Sequence, residues 1–385
     1  MAETPLKTTT SRKDMNNTVD LFLTRDDTQI IKGLAVILMI GHHLLAFPDR
    51  LPGTLFSFSG LLGFNVLFHL GAFGRICIGM FSFLGGYGKY IRSESKPVKP
   101  LKETLNLYKK YWQVFLVFIP VGFLFFGDQA PYCVDTEVCT RYSVFSVKEF
   151  LLNLFGLQST YNLEWWFLLF YVICILTFPL ISYLIRKHSV LISLLIVISL
   201  RLAVMMLGAA GVLAQNKTAE NILLTIDDKF PFFICFYAGI LTARCGLYTR
   251  LADKTAKLKC KPLISIIIIV ILTFIRRYVP GNEIEFAIVF AMVFASKTLF
   301  DGIRILRKPF SVFGKYSTNM WLIHSFFCYY FGLVSRSLVF FRWGLLAFAV
   351  LTAYTFGASV LLSLFWNAVE KGVKKLAAVV RKTPA

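Results

Sequence analysis

Long apolar stretches separated by short polar segments dominate this chain of 385 residues. A helix needs roughly 20 apolar residues to cross the hydrocarbon core of a bilayer, and ten stretches approach that length without strand-like alternation. In order they are 30–47, 71–91, 111–127, 165–185, 190–214, 230–245, 262–278, 284–300, 311–334 and 343–369. The pattern predicts an all-α, polytopic membrane protein with about ten transmembrane helices. Polar residues interrupt two further stretches, 55–70 and 148–158, which we expect to be interfacial or re-entrant.

Basic residues fall between the apolar stretches in a regular alternation. With the N-terminus in the cytoplasm, the inner segments hold 28 Lys and Arg residues and the outer segments hold nine. Cytoplasmic loops carry such an excess, so the distribution predicts that both termini are cytoplasmic. We expect a membrane domain over 30–369, preceded by a cytoplasmic tail over 1–29 and followed by a basic cytoplasmic tail over 370–385.

Composition supports the membrane assignment and excludes several functions. Hydrophobic residues make up 57% and charged residues 16%, whereas a soluble domain has about 25% charged residues. The net charge of +20 is spread between apolar stretches, which argues against binding nucleic acid. Cysteine and histidine spacings do not predict a metal site. Cys133 and Cys139 share an outer loop, where a disulfide and a free pair are equally open.

The first apolar stretch carries two ionisable residues whose spacing is suggestive. Lys32 and His43 are eleven positions apart, which is about three helical turns or about 16 Å, so both point to one face. A cation near the cytoplasmic end could attract phosphate, and an imidazole deeper in the membrane could act as a general base. The alternative is that Lys32 extends to the inner headgroups and the imidazoles lie at the outer interface. The neighbouring His42 points roughly 80° away.

Other apolar stretches also carry polar side chains, and ionisable groups inside a membrane are usually functional. Glu164 opens the fourth stretch and could orient a histidine or bind sugar hydroxyls, with Trp166 beside it for stacking; the alternative is an aromatic belt with a carboxylate at a helix start. His324 lies in the ninth stretch and could be catalytic or a structurally satisfied histidine. The candidate supporting residues are His42, Arg75, Tyr87, Ser317 and Asn319.

Four of these stretches together resemble the acyltransferase 3 family of integral membrane acyltransferases. The family's first helix carries a basic residue, ten residues and then His, which here is Lys32 to His43 in TQIIKGLAVILMIGHHL. MFSFLGGY is similar to its second-helix pattern, with Gly85 in place of Ser. WWFLLFY is similar to its Trp-Phe-Leu pattern, and GKYSTNMWLIH to its late helix that ends in His.

The resemblance implies an activity and a set of site residues. It implies a membrane O-acetyltransferase that uses acetyl-CoA as its acyl donor, with no metal, and that modifies a cell-surface or lipid-linked glycan in a bacterial cytoplasmic membrane. His43, Glu164 and His324 would be catalytic. Lys32 would bind the donor, together with Lys109 and Lys110 of LYKKYW, which match the family's basic pair loosely. These motif variants are most similar to those of family members from Gram-positive bacteria.

Two other functions remain open from the residues alone. Buried Lys, Arg and His residues also suit a transporter of lipid-linked sugars or small solutes, although we find none of the internal symmetry that is typical of transporters. A non-catalytic sensor or scaffold would not need ionisable residues at positions 32 and 43. The sequence does not decide between direct transfer and an acyl-enzyme, nor does it give the oligomeric state.

Overall fold

The fold was obtained as a computed structural model, which describes residues 20–47, 50, 64–127, 129, 140–213, 217–279, 283–340 and 343–380. Within these ranges the secondary structure is helical, as predicted. Cys133, Cys139 and most of the stretch predicted at 55–70 lie outside the described residues.

Fourteen α-helices are found in the described part of the chain. They are α1 (Arg25–Leu45), α2 (Phe64–Phe73), α3 (Ile76–Ser95), α4 (Pro100–Phe125), α5 (Val147–Leu154), α6 (Trp166–Lys187), α7 (Val190–Leu213), α8 (Lys217–Cys245), α9 (Leu247–Lys254), α10 (Lys261–Tyr278), α11 (Glu285–Gly302), α12 (Arg307–Ser325), α13 (Gly332–Phe340) and α14 (Gly344–Val380). Short 3-10 turns precede α6 and α12, and a π-helical turn, Phe326–Tyr330, follows α12.

The described helices support fewer membrane spans than the ten predicted. Five helical segments are long and apolar enough to cross a bilayer, and the number rises to seven if each of two bent pairs counts as one span. The bends are 65° between α8 and α9 and 107° between α11 and the segment Arg304–Tyr330. The predicted third and seventh spans are helical as α4 and α10, but charged residues occupy the first half of α4 and both ends of α10. The count of ten is therefore not confirmed, and the sidedness stays a prediction.

Two glycines let α1 and α12 pack backbone against backbone. A Cβ atom on Gly33 would lie 1.9 Å from the carbonyl oxygen of Phe310, and one on Gly314 would lie 1.8 Å from that of Gln29. The Gln29 side chain also donates a hydrogen bond to the Ser311 carbonyl at 2.9 Å. Membrane helices commonly use small residues in this way to approach closely. This contact sets the distance between the side chains that face each other further along α1 and α12.

A second close contact joins α3 and α8 by the same means. A Cβ on Gly86 would lie 2.0 Å from the Phe236 carbonyl oxygen, and one on Gly239 would lie 2.1 Å from that of Phe83. These two helix pairs form most of the bundle interior around the site.

The outer layer of the bundle is suited to lipid. Only 17% of the apolar window of α7 is buried, and large side chains such as Leu191, Met206 and Leu207 are exposed. Its one buried cation, Arg201, is neutralised by Asp227 at 2.6 Å and by Glu283. An apolar surface of this extent is stable only in a bilayer or against a partner, which agrees with a multi-pass membrane protein.

Candidate active site

One cavity of about 360 Å³ runs through the interior of the bundle and contains most of the predicted site. Lys32 and His43 both line it, which is the arrangement that their spacing predicts. The wall also includes His42, Arg75, Glu164, Trp166 and Ser317 from the sequence prediction. Arg50, Phe167, Tyr171, Lys229, Thr318 and Trp321 are among its other residues.

His43 and His324 form a hydrogen-bonded pair between α1 and α12. The Nδ1 atom of His43 lies 3.0 Å from Nε2 of His324, and Nδ1 of His324 lies 2.7 Å from the carbonyl oxygen of Trp321. A carbonyl oxygen can only accept a hydrogen bond, so Nδ1 of His324 carries the proton and its Nε2 is an acceptor. His43 therefore donates from Nδ1, which also faces the Met39 carbonyl at 3.0 Å.

This arrangement fixes the tautomer of His43. With the proton on Nδ1, the Nε2 atom of a neutral imidazole has a free lone pair, and it has no hydrogen-bond partner among the described residues. A histidine whose far nitrogen is held by a second group is a typical general base. His42 also lines the cavity and its Nδ1 faces the Gly71 carbonyl at 2.9 Å, but no histidine in the described part of the chain is hydrogen-bonded to its ring.

The π-helical turn after α12 holds two tyrosines against the site. The Tyr329 hydroxyl donates to the backbone carbonyl of His43. The Tyr330 hydroxyl donates to Oε2 of Glu164 at 2.6 Å. Such turns often occur at functional sites because they redirect side chains. Here the turn ties both α1 and the start of α6 to the end of α12.

Glu164 lies on the cavity wall and is not hydrogen-bonded to a histidine ring among the described residues. Glu164 is 7% exposed, and the Arg50 guanidinium lies 3.8 Å from Oε1, the carboxylate oxygen that Tyr330 does not contact. The backbone amide of Glu164 is capped by the Asn162 side chain at 3.2 Å. The group that orients His43 is therefore His324, and Glu164 is placed to accept a hydrogen bond from a molecule in the cavity.

The two ends of the cavity carry different cations. Lys32 is at one end, and no carboxylate in the described part of the chain lies within ion-pair distance of it. The nearby acidic residues of α1 are already engaged, since Arg307 contacts both Asp26 and Asp27 at 2.8 Å. Arg75 and Lys229 line the cavity with Trp166.

Five of the predicted residues do not line this cavity. His324 is fully buried and is hydrogen-bonded to His43. Tyr87 donates to the Asp20 carbonyl at 2.9 Å and holds the chain before α1. Lys109 pairs with Glu370 at 2.8 Å. Lys110 and Asn319 line a separate crevice of about 250 Å³ between α4, α12 and α14, which shares Thr318 with the main cavity. The structure therefore brings Lys110 near the Lys32 end but does not bring Tyr87 to the site.

Several residues of the site were not predicted from the sequence. Tyr329 and Tyr330 lie in a π-helical turn that has no clear sequence signal. Lys229 and Arg50 were counted only as outer charges. A usable signal existed for Lys229, because it immediately precedes the predicted span 230–245 on the side that is predicted to be external, where Arg75 also lies near the start of its span.

Gly85 sets the width of the cavity through Tyr171. A Cβ atom at Gly85 would lie 2.4 Å from the Tyr171 hydroxyl oxygen. We expect Gly85→Ala to push the tyrosine ring into the cavity and to raise the KM for substrate several-fold with the protein still folded. Gly88→Ala on the same helix is the matched control, because a Cβ there meets no atom within 4 Å. Equal KM values for both variants would contradict this role of Gly85.

Comparison with known proteins gives one match. The model of the acyltransferase 3 family, described as an acyltransferase domain, matches residues 27–364. No curated protein and no solved structure matches the chain.

Proposed function

Because the chain belongs to the acyltransferase 3 family, we propose that it is a membrane O-acetyltransferase. It transfers an acetyl group from cytoplasmic acetyl-CoA to a hydroxyl of a cell-surface or lipid-linked glycan, in a bacterial cytoplasmic membrane. The observation that carries the proposal is the His43–His324 pair, which leaves a free imidazole nitrogen in a cavity with a cation at each end.

The Lys32 end suits the donor. Coenzyme A carries a diphosphate and a nucleotide phosphate, which bind best to cations that are not already neutralised. Lys32 faces the cavity without a carboxylate partner in the described residues, and the adjoining crevice adds Lys110 and Lys315. The charge pattern of the loops predicts that this end faces the cytoplasm. A thioester that entered here would reach His43 about 16 Å further along α1.

The chemistry needs one base and no cofactor in this proposal. The acceptor hydroxyl gives its proton to Nε2 of His43 while its oxygen bonds to the thioester carbonyl carbon. The tetrahedral intermediate then collapses, the carbon–sulfur bond breaks, and the coenzyme A sulfur leaves with the proton from His43. His324 accepts the Nδ1 hydrogen bond throughout and stabilises the imidazolium.

Direct transfer is the simpler route with these residues. Ser317 is the serine on the cavity wall, and its hydroxyl donates to the Gly314 carbonyl at 2.9 Å. No described hydrogen bond joins it to a histidine, so it is not activated as a nucleophile. Glu164, held by Tyr330, would accept a hydrogen bond from a second hydroxyl and orient the acceptor.

Replacing His324 tests its role as a positioning residue. We expect His324→Ala to lower kcat about 10- to 100-fold with little change in KM, because His43 loses the group that fixes its tautomer. His324→Gln should recover part of the rate, since its amide oxygen can accept the same hydrogen bond. If His324 only fills space, Gln and Ala would instead lower the yield of folded protein and leave kcat unchanged.

The acetate content of the surface glycan tests the function in cells. A deletion strain should lose glycan acetate, and the wild-type gene should restore it. Acetate that does not depend on the gene would contradict the enzyme and leave a transporter as the function to examine. The test is read by base-released acetate from purified glycan, normalised to sugar content.

A further inference from the structure

The cavity end away from Lys32 is more cationic than acetyl transfer to a neutral sugar requires. Arg50, Arg75 and Lys229 all line it. Their side chains are 41%, 34% and 28% exposed, so each remains accessible from the cavity or its mouth. A cation binds an anionic ligand best where no carboxylate already neutralises it, so the carboxylates around these three decide what they can bind.

The carboxylates nearby do not neutralise all three cations. Arg75 and Lys229 share one carboxylate, Asp228, at 3.5 Å and 2.5 Å. That carboxylate is itself 46% exposed and does not line the cavity. Glu164 is the acidic residue on the described cavity wall, and Arg50 is 3.8 Å from it.

The other acidic residues of this region have cations of their own. Asp227 and Glu283 hold Arg201. Glu285 is 3.2 Å from Arg276. Arg75 also interacts electrostatically with Glu285, although Arg276 is its direct ion-pair partner. Because Arg50, Arg75 and Lys229 face a single wall carboxylate, Glu164, the described cavity wall keeps an excess of positive charge at this end.

An aromatic face lies beside these cations. The Lys229 ammonium group is 4.2 Å from the centroid of the Trp166 ring, and Arg75 lies 5.7 Å from the Phe232 ring. A sugar held in the cavity beside Trp166 would carry its substituents next to Lys229. The combination of an aromatic face with two under-neutralised cations fits a sugar or polyol that bears an anion.

We propose, on the basis of the acetyl-transfer function above, that the acceptor is an anionic glycan. The acceptor hydroxyl lies on a sugar or polyol whose neighbouring phosphate or carboxylate group is bound by Arg75 and Lys229. This anion site is distinct from the donor site, because Lys32 and His43 are separated by about 16 Å along α1. Gly74, the residue before Arg75, packs against Leu38 and His42, which places Arg75 at the His43 end.

Binding without any acyl donor tests this site directly. The purified full-length protein in detergent is titrated with glucose 1-phosphate, glucuronic acid and methyl glucoside, and binding is followed by calorimetry. We expect at least one anionic probe to bind about tenfold or more tightly than methyl glucoside, with an affinity that falls as salt increases. Arg75→Gln and Lys229→Gln should each remove most of this preference, and Lys148→Gln, which alters an exposed cation of α5, should not.

The two anionic probes identify the source of the charge. Preference for glucose 1-phosphate alone supports a phosphate-bearing acceptor, and preference for glucuronic acid alone supports a carboxylate-bearing one. Equal affinity for all three probes overturns the inference. It is also overturned if coenzyme A displaces the anionic probes and loses affinity equally in Arg75→Gln and Lys229→Gln, because the cations would then belong to the donor site.

A transfer assay separates this inference from the proposed function. With labelled acetyl-CoA, acetylation of the anionic and neutral sugars at equal kcat/KM would keep the function and reject the anionic acceptor. Absence of acetylation with every acceptor would count against the function, while the donor-free binding titration would still decide the anion site.

Discussion

Replacing His43 with alanine is expected to lower the rate of acetyl transfer by about 10²- to 10⁴-fold, which is the usual contribution of a positioned general base. The reason is that Nδ1 of His43 is engaged by His324 and by the Met39 carbonyl. The other ring nitrogen, Nε2, is therefore left free to accept a proton. The measurement is the initial rate of label transfer from acetyl-CoA by purified protein in vesicles, at saturating donor.

His69→Ala is the matched control for this prediction. His69 lies in α2, next to Phe68, and does not line the cavity. We expect it to keep a rate within a factor of two or three of the wild type. Retained activity in His43→Ala would remove the assigned base and direct attention to His42, whose ring also faces the cavity.

The second large effect is expected from Gly33 and Gly314. Adding a methyl group at either position places a Cβ within 2 Å of a backbone carbonyl oxygen of the facing helix, which a side-chain rotation cannot relieve. We expect Gly33→Ala and Gly314→Ala each to destabilise the protein by about 1–3 kcal/mol. They should also lower activity by about 10²-fold, because His43 and His324 would move apart.

Gly357→Ala is the control for the helix-packing prediction. A Cβ on Gly357 in α14 would meet no atom within 4 Å, so the change should leave stability equal or slightly greater. Thermal unfolding in detergent and transfer rates are compared for the three variants. If Gly33→Ala unfolds at the wild-type temperature with full activity, the close α1–α12 contact is not what holds the histidine pair.

The local parts of the site could be predicted from the sequence. The helical period relates Lys32 to His43 over eleven residues, and the period is a property of the backbone alone. The predicted helical stretches correspond to helices because long apolar runs satisfy their backbone internally. The number of spans did not follow from length, since the 107° bend between α11 and the segment after it depends on packing.

The long-range parts of the site could not be predicted. The His43–His324 hydrogen bond joins residues 281 positions apart, and it depends on the contact of Gly33 and Gly314 with facing backbone. The sequence predicts that Glu164 could orient a histidine, because it is an ionisable group at a helix start, but in the structure its carboxylate accepts a hydrogen bond from Tyr330. That contact depends on a π-helical turn, in which the backbone hydrogen bonds span five residues in place of four. A single turn of this kind leaves no periodic pattern in the sequence.

The two-ended cavity is the centre of this account, and vesicles with separated substrates test it most directly. The protein is reconstituted, vesicles with the termini facing outward are selected, and the glycan acceptor is enclosed inside. We expect labelled acetyl-CoA added outside to acetylate the enclosed acceptor, and His43→Ala vesicles to leave it unlabelled. Transfer only when donor and acceptor share one side of the membrane would contradict this expectation.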